Sequence, residues 1–124
     1  MTLKELQNVT NEIKNRVFQN KIKINSFLKE LIQIPSLSGE EKDLSLRIKK
    51  ELLLSGVNWI RIDSQGNLIC RIGKKGPRIL YDAHMDTVPP GDIKNWVFYP
   101  YEAKSIKNEI FGRGACDDKG SLSA

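Results

Sequence analysis

The sequence predicts an α/β fold in which a mixed β-sheet is flanked by helices. Apolar residues recur at helical spacing over the first third of the chain and again between residues 44 and 52. After Gly56 the period changes, and short apolar runs alternate with turns that contain glycine. Two helical segments followed by short strands are typical of a sheet that helices cover.

The first third of the chain is helical in pattern. Apolar residues at three- and four-residue spacing form two sets, Leu3, Leu6, Val9, Ile13 and Val17, then Ile24, Phe27, Leu28 and Leu31. The pattern fits one long helix or two helices that meet near residues 20–21. Pro35 ends the block, because the residue before a proline is disfavoured in the helical conformation.

A second helix is predicted after residue 38. Ser38 and Glu41 have the spacing of a capping box, in which Ser38 is the N-cap and Glu41 reaches back to it. Leu44, Ile48 and Leu52 then follow at helical spacing, and Gly56 is well placed to end the helix in a left-handed conformation.

The remaining elements are short. Strands are predicted over residues 57–63, 68–72 and 78–83, with turns at residues 64–67 and 73–77. Residues 101–114 are predicted to form a further hairpin about residues 107–108, and a helix should begin near Gly120. Because the chain has only 124 residues, it is expected to make at most one domain.

Composition argues against several classes of protein. The net charge is +5, but lysine and arginine are scattered among acidic residues without a basic run, which favours a solvated surface over a nucleic-acid site. No apolar run is long enough to cross a membrane, and the N-terminus does not resemble a signal peptide, so the expected location is the cytoplasm. Cys70 and Cys116 are expected to be reduced thiols.

One candidate site lies in residues 81–92, Tyr-Asp-Ala-His-Met-Asp-Thr-Val-Pro-Pro-Gly-Asp. His84 and Asp86 follow directly on an apolar run, where α/β folds commonly bind ligands. In an extended chain residues i and i+2 point to the same side, so the carboxylate can orient the imidazole of a metal ligand. His-x-Asp is a common pattern, however, and alone it fits an inert hydrogen-bonded histidine better.

A second candidate lies in residues 112–120, Gly-Arg-Gly-Ala-Cys-Asp-Asp-Lys-Gly. Asp117 and Asp118 place two carboxylates in a glycine-rich loop, and one carboxylate can bridge two divalent cations. Two such cations can activate a water molecule and stabilise the tetrahedral intermediate of amide hydrolysis. An aspartate-rich turn that caps the next helix explains the same residues equally well.

Together, the two motifs closely resemble the zinc metallopeptidase and amidohydrolase family. This family contains acetylornithine deacetylase, succinyl-diaminopimelate desuccinylase, aminoacylase and glutamate carboxypeptidase. Residues 91–96 and 100–102 resemble the branch of hydrolases linked to selenium metabolism. Residues 34–36, Ile-Pro-Ser, also fit the family, so the resemblance covers nearly the whole chain.

The resemblance implies a role for each motif residue. His84 would be a ligand to one zinc ion, Asp86 would support that histidine with a catalytic role, and Asp117 would bridge two zinc ions. The peptide bond between Asp117 and Asp118 is expected to be cis. Cys116 is expected to be a small buried side chain, and three aromatic residues are expected to be simple core aromatics, namely Trp96, Phe98 and Tyr101.

The implied function is hydrolysis of amide bonds in small acylated amino acids or peptides with two zinc ions, or with Co²⁺ or Mn²⁺. Residues 1–124 are expected to be the N-terminal portion of the catalytic domain, without the family's smaller dimerisation domain. No position matches the family's catalytic glutamate, its remaining acidic ligands or its second histidine. The chain alone is therefore expected to be inactive.

Two alternatives accompany this expectation. The chain could instead be a non-catalytic remnant of a split gene with weak or no metal binding, or a basic nucleic-acid-binding domain, which no motif supports. The expected partner is a small peptide-like or N-acyl amino acid substrate, without nucleic acid or membrane. A homodimer is expected, if at all, for a full-length protein and not through this segment.

Overall fold

The structure is a computed structural model that describes residues 2–124. The expected α/β class is confirmed. Helices α1, α2 and α3 cover Leu3–Gln33, Lys42–Leu54 and Lys119–Ser123, and strands β1, β2, β3 and β4 cover Trp59–Ile62, Leu68–Arg71, Lys104–Ile106 and Glu109–Phe111. A short 3-10 helix covers Ile93–Asn95. None of the helices described combines the length and apolar character that a membrane crossing requires.

Helix α1 is a single continuous helix of 31 residues, which settles the choice between one helix and two. Thr2 caps its start: the Thr2 hydroxyl accepts from the Glu5 amide, and the Glu5 carboxylate accepts from the Thr2 amide. The helix ends at Gln33, and Ile34 has an extended backbone, as expected for the residue before Pro35.

The start of helix α2 differs from the prediction. Its N-cap is Glu41, which makes no side-chain capping bond, so the prediction of Ser38 as N-cap was wrong. The Ser38 hydroxyl donates to Asp86 instead, and the Glu41 carboxylate accepts from the Gly39 amide. A distant carboxylate has therefore replaced the local partner that sequence spacing suggested.

The end of helix α2 was predicted correctly. Gly56 has a φ of 83°, the left-handed conformation that glycine adopts without a steric penalty. Its amide donates to Leu53 and the Val57 amide donates to Leu52, which is the hydrogen-bond pattern of a Schellman motif.

The core lies between α1 and α2. Phe27 and Leu31 of α1 pack with Leu44 and Ile48 of α2, and all four are buried. At the edge of this core the Arg47 guanidinium lies 4.6 Å from the centre of the Phe27 ring. It also donates to Glu30 of α1 at 2.7 Å, so the two helices share an ion pair beside their apolar contact.

The strands form two separate antiparallel pairs in the described residues, where one mixed sheet was expected. Strands β1 and β2 pair with Trp59 opposite Arg71, and β3 and β4 form the predicted hairpin about residues 107–108. Parallel pairing within residues 2–124 is limited to one bridge between Leu37 and Thr87.

The predicted strand over residues 78–83 is not formed. Its apolar side chains are exposed, with Ile79, Leu80 and Tyr81 at 77%, 90% and 87% of their full accessibility. Within residues 2–124 no strand pairs with this segment, so its amides and carbonyls lack a ladder of hydrogen bonds. An apolar run alone does not make a strand without a neighbour to pair with.

The last helix, α3, packs against α1. It begins one residue before the predicted Gly120. This contact brings the glycine-rich loop of residues 112–118 close to the end of α1, and so it positions the second candidate motif.

Candidate metal-binding site

The structure brings the two sequence motifs together. The Nε2 atom of His84 lies 2.8 Å from Oδ1 of Asp117, although 33 residues separate them. The peptide bond between Asp117 and Asp118 is cis, as the resemblance implied. His84 and Asp117, the two predicted metal ligands, are therefore direct neighbours.

Asp86 holds the other side of the His84 ring. The Nδ1 atom lies 3.0 Å from the backbone carbonyl of Asp86 and 3.3 Å from its carboxylate oxygen Oδ1. The hydrogen bond to Asp117 raises the pKa of His84, with smaller support from Asp86, because both stabilise the protonated ring. In the absence of metal, the protonated ring can donate from both nitrogens at once, to Asp117 and to Asp86.

Asp86 is in turn held by Ser38. The Ser38 hydroxyl donates to Oδ2 of Asp86 at 2.5 Å, and this bond is the main reason that the pKa of Asp86 lies below its usual value. A chain of four side chains thus runs through the site in the order Ser38, Asp86, His84, Asp117.

The segment after helix α1 supports this chain. We call residues 34–38 the elbow. Within the elbow, the Ser36 hydroxyl donates to the carbonyl of Met85 at 2.9 Å, and the Ser36 carbonyl accepts from the Thr87 amide at 2.7 Å. The elbow therefore holds the backbone on both sides of Asp86.

Lys119 joins the second motif to the same place. Its side chain is fully buried, and its ammonium group donates to the carbonyl of Leu31 at 2.9 Å and to that of Ile34 at 2.7 Å. Burial lowers the pKa of Lys119 to about 8. The two carbonyls lie at the C-terminal end of α1, where a helix favours a positive charge.

Gly114 allows the two motifs to approach closely. A Cβ atom at this position would lie 2.7 Å from the Thr87 methyl group and 3.2 Å from Cδ of Lys119, so any side chain here would force its neighbours to shift. The Lys119 amide also donates to the Gly114 carbonyl at 3.0 Å. The glycine-rich loop thus packs between Thr87 of the first motif and Lys119 of α3.

The resulting pocket is open to water. It has a volume of about 220 Å³, and His84, Asp86, Arg113, Cys116 and Asp117 are among the residues that line it. The side chains of His84 and Asp117 remain 49% and 88% exposed. An imidazole and a carboxylate that face each other in such a pocket are suitable donors for a divalent cation. No group of three or more potential ligands is present in residues 2–124, so the two supply only part of a coordination sphere.

The aromatic residues surround the site loop as half-buried side chains. The Trp96 indole donates to the Pro90 carbonyl at 2.9 Å, and the Arg113 guanidinium lies 5.0 Å from the centre of the Trp96 ring. Phe98 packs on Phe111 with ring centres 5.5 Å apart. These contacts fix the loop that follows the first motif.

The cysteine predictions have different outcomes. Both cysteines are free thiols, as predicted. Cys116 is exposed, however, so the expectation of a small buried side chain was wrong. It lies in the turn before α3, where Asp117 is also exposed, and the side chain that is buried next to this turn is that of Lys119, the first residue of α3.

Sequence reasoning missed three residues that organise the site: Ser36, Ser38 and Lys119. Ser38 was assigned to a local capping box, which hid its contact with Asp86. Lys119 stands directly after the paired aspartates, and that position was its only signal, since burial of a lysine cannot be read from composition.

Comparisons with known proteins agree with the resemblance at the level of a peptidase family. Residues 80–124, which contain both motifs, match the model of peptidase family M20/M25/M40. The chain is also 43% identical over 99 residues to the uncharacterized protein YgeY of Escherichia coli strain K12. The same identity is found with YgeY of Escherichia coli O157:H7. The match covers 79% of this chain but 24% of each relative, so the chain spans about a quarter of the length of the curated relatives it matches.

Proposed function

We propose that this chain contributes part of the metal site of a zinc-dependent hydrolase that cleaves amide bonds in N-acyl amino acids or short peptides. The observation that carries the proposal is the 2.8 Å contact between His84 and Asp117 in an open pocket. Both residues lie in the segment that matches a peptidase family.

In this proposal His84 would bind the cation through Nε2, and Asp117 would bind it through its carboxylate, with Co²⁺ or Mn²⁺ as alternatives to Zn²⁺. A divalent cation at this position would polarise the substrate carbonyl and lower the pKa of a water molecule. Asp86 accepts the Nδ1 proton of His84, which leaves Nε2 free to act as a ligand. Ser38 keeps the Asp86 carboxylate ionised and in place.

This arrangement supports a role for Asp86 that acts through His84 in the proposed catalysis, and not a role as a ligand. Its carboxylate oxygens are directed at the His84 ring and at Ser38. Asp117 instead projects into the pocket and is mostly exposed. The two aspartates thus have different environments, as different roles require.

Zinc titration of the chain by calorimetry tests the proposal. We expect one zinc ion to bind, and we expect His84→Ala and Asp117→Asn each to weaken binding at least about tenfold, because each removes a ligand. Asp82→Asn is the matched control, since Asp82 is an exposed carboxylate two residues before His84. Zinc binding that none of these substitutions alters would contradict the proposal, and no binding at all would favour the non-catalytic alternative.

A further inference from the structure

One buried charged group has no part in the proposed chemistry. Lys119 has no solvent exposure, and no carboxylate pairs with its ammonium group among residues 2–124. A buried cation is costly unless its donors are satisfied. Here two backbone carbonyls, those of Leu31 and Ile34, accept from it.

The geometry of Lys119 couples two distant parts of the chain. Its ammonium group contacts α1 and the elbow at sequence separations of 88 and 85 residues. Its backbone amide contacts Gly114, and Asp117 lies only two residues before it. A displacement of the Lys119 side chain would therefore move the loop that carries Asp117.

His84, the other proposed ligand, is also held by the elbow. Ser36 and Ser38 of the elbow hold the backbone at Met85 and the carboxylate of Asp86, and these in turn fix His84. The elbow therefore holds both halves of the site: the half with His84 through Ser36 and Ser38, and the half with Asp117 through the bond from Lys119 to Ile34.

We propose that Lys119 is a positioning residue, which holds Asp117 opposite His84 by anchoring the glycine-rich loop to the carbonyls that end helix α1. The inference rests on the proposed function only in its zinc-binding test. The contact between His84 and Asp117 exists without metal, and it provides a separate test.

The metal-free test uses the only histidine of the chain, whose ring protons give unambiguous NMR signals. We expect the wild type and Lys119→Arg to show nuclear Overhauser contacts between the His84 ring and the β-protons of Asp117, because arginine can donate to the same carbonyls. Lys119→Met has a similar length but no donor, and it should lose these contacts. Persistence of the contacts in Lys119→Met would overturn the inference.

The matched control is Ser123→Ala, which removes a partly buried hydrogen bond within α3, from the Ser123 hydroxyl to the Gly120 carbonyl, and leaves both bonds from Lys119 to α1 and the elbow in place. It should keep the contacts of the wild type. An equal loss in Ser123→Ala would show that any weakening of α3 disturbs the site, and it would also overturn the inference.

Zinc titration of the same variants supplies the second test. Lys119→Met should bind zinc about tenfold or more weakly, Lys119→Arg should recover most of this loss, and Ser123→Ala should stay close to the wild type. If the wild type binds no zinc, the proposed function fails while the NMR contacts still decide the inference. If Lys119→Met does not fold, Lys119→Arg decides it: retained contacts support the inference, and their loss in a folded protein overturns it.

Discussion

At the scale of single residues, the candidate site is a row of four side chains that hydrogen bonds join one to the next. A hydroxyl, a carboxylate, an imidazole and a second carboxylate follow one another from Ser38 to Asp117. Each carboxylate stabilises the positive charge of the ring between them, and the hydroxyl stabilises the charge of Asp86. The protonation states of these residues are therefore linked.

The first prediction concerns the pKa of His84 in the metal-free chain. Its pKa should lie above the usual value of about 6.5, and Asp117→Asn should lower it, because the carboxylate of Asp117 favours the protonated ring. A raised pKa stabilises the folded state fully below about pH 6.5, and this contribution is lost as pH rises through the pKa of the folded protein. An NMR titration of the ring protons measures the pKa of His84, and Asp82→Asn is the control. A pKa at or below that of an unstructured peptide would contradict the prediction.

The second prediction concerns Ser38. Ser38→Ala should raise the pKa of Asp86 toward its usual value, since the Ser38 hydroxyl is the main group that lowers it. A lowered carboxyl pKa stabilises the folded state above about pH 3.9, and that contribution is lost as pH falls through the lowered value. Carboxyl ¹³C shifts follow the titration of Asp86. Ser26→Ala, at an exposed position on α1, should leave the pKa unchanged, and an unchanged pKa in Ser38→Ala as well would refute the prediction.

At the scale of elements, the site depends on how closely the loops and helix ends approach one another. The elbow after α1 holds the first motif, and α3 holds the second through Lys119. Gly114 lies where the two motifs meet, against Thr87 on one side and Lys119 on the other. The packing of backbone segments, and not a regular sheet, sets the distance between His84 and Asp117.

The third prediction compares two glycines with nearly equal backbone angles. Gly114 and Gly73 have φ of 79° and 80°, but only Gly114 has atoms within 4 Å of an added Cβ. Gly73→Ala should cost about 1 kcal/mol in the free energy of unfolding, from the left-handed backbone alone. Gly114→Ala should cost a further ~1–3 kcal/mol because the methyl group overlaps Thr87. Urea unfolding measures both values, and equal losses would show that the close approach has no energetic consequence.

Local signals predicted the elements well and the contacts between them less well. The helical spacing from Leu3 to Leu31, the end of α2 at Gly56 and the hairpin about residues 107–108 all depend on neighbouring residues, and all are found. The strand over residues 78–83 needed a distant partner to pair with and is not formed.

The site residues divide in the same way, into those that a local motif predicts and those that depend on distant contacts. His84, Asp86 and Asp117 could be proposed because their motifs are short and chemically specific. Ser38 and Lys119 act across 48 and 85 to 88 residues, and no local spacing encodes such contacts. Ser38 even satisfied a local pattern that the folded chain does not use.

At the scale of the whole molecule, the buried core is small compared with the apolar surface that stays exposed. The core is formed mainly by α1 and α2, while the first two-thirds of α1 and the segment at residues 79–81 expose large apolar side chains. Exposed apolar patches promote association, and the net charge of +5 opposes it through repulsion between chains.

The fourth prediction follows from this balance. The chain should self-associate with rising concentration, more strongly at high salt, because salt screens the repulsion. Leu80→Lys should reduce association, since Leu80 is 90% exposed within the apolar run at residues 79–81. Sedimentation velocity at several concentrations measures the effect. Leu54→Lys, an equally apolar exposed change at the end of α2, should have the smaller effect, and a monomer at all concentrations and salt levels would contradict the prediction.

The anchoring of the site at the elbow also has a consequence for the order in which the chain can fold. Helix α1 and the paired strands close only short loops, whereas the bonds from Ser38 to Asp86 and from Lys119 to Leu31 close loops of 48 and 88 residues. The entropic cost of loop closure grows with length, so these two contacts close at a greater entropic cost than the helix and the hairpins. The residues that would bind the metal are thus assembled by contacts between distant parts of the chain, and the helices and hairpins can form before them.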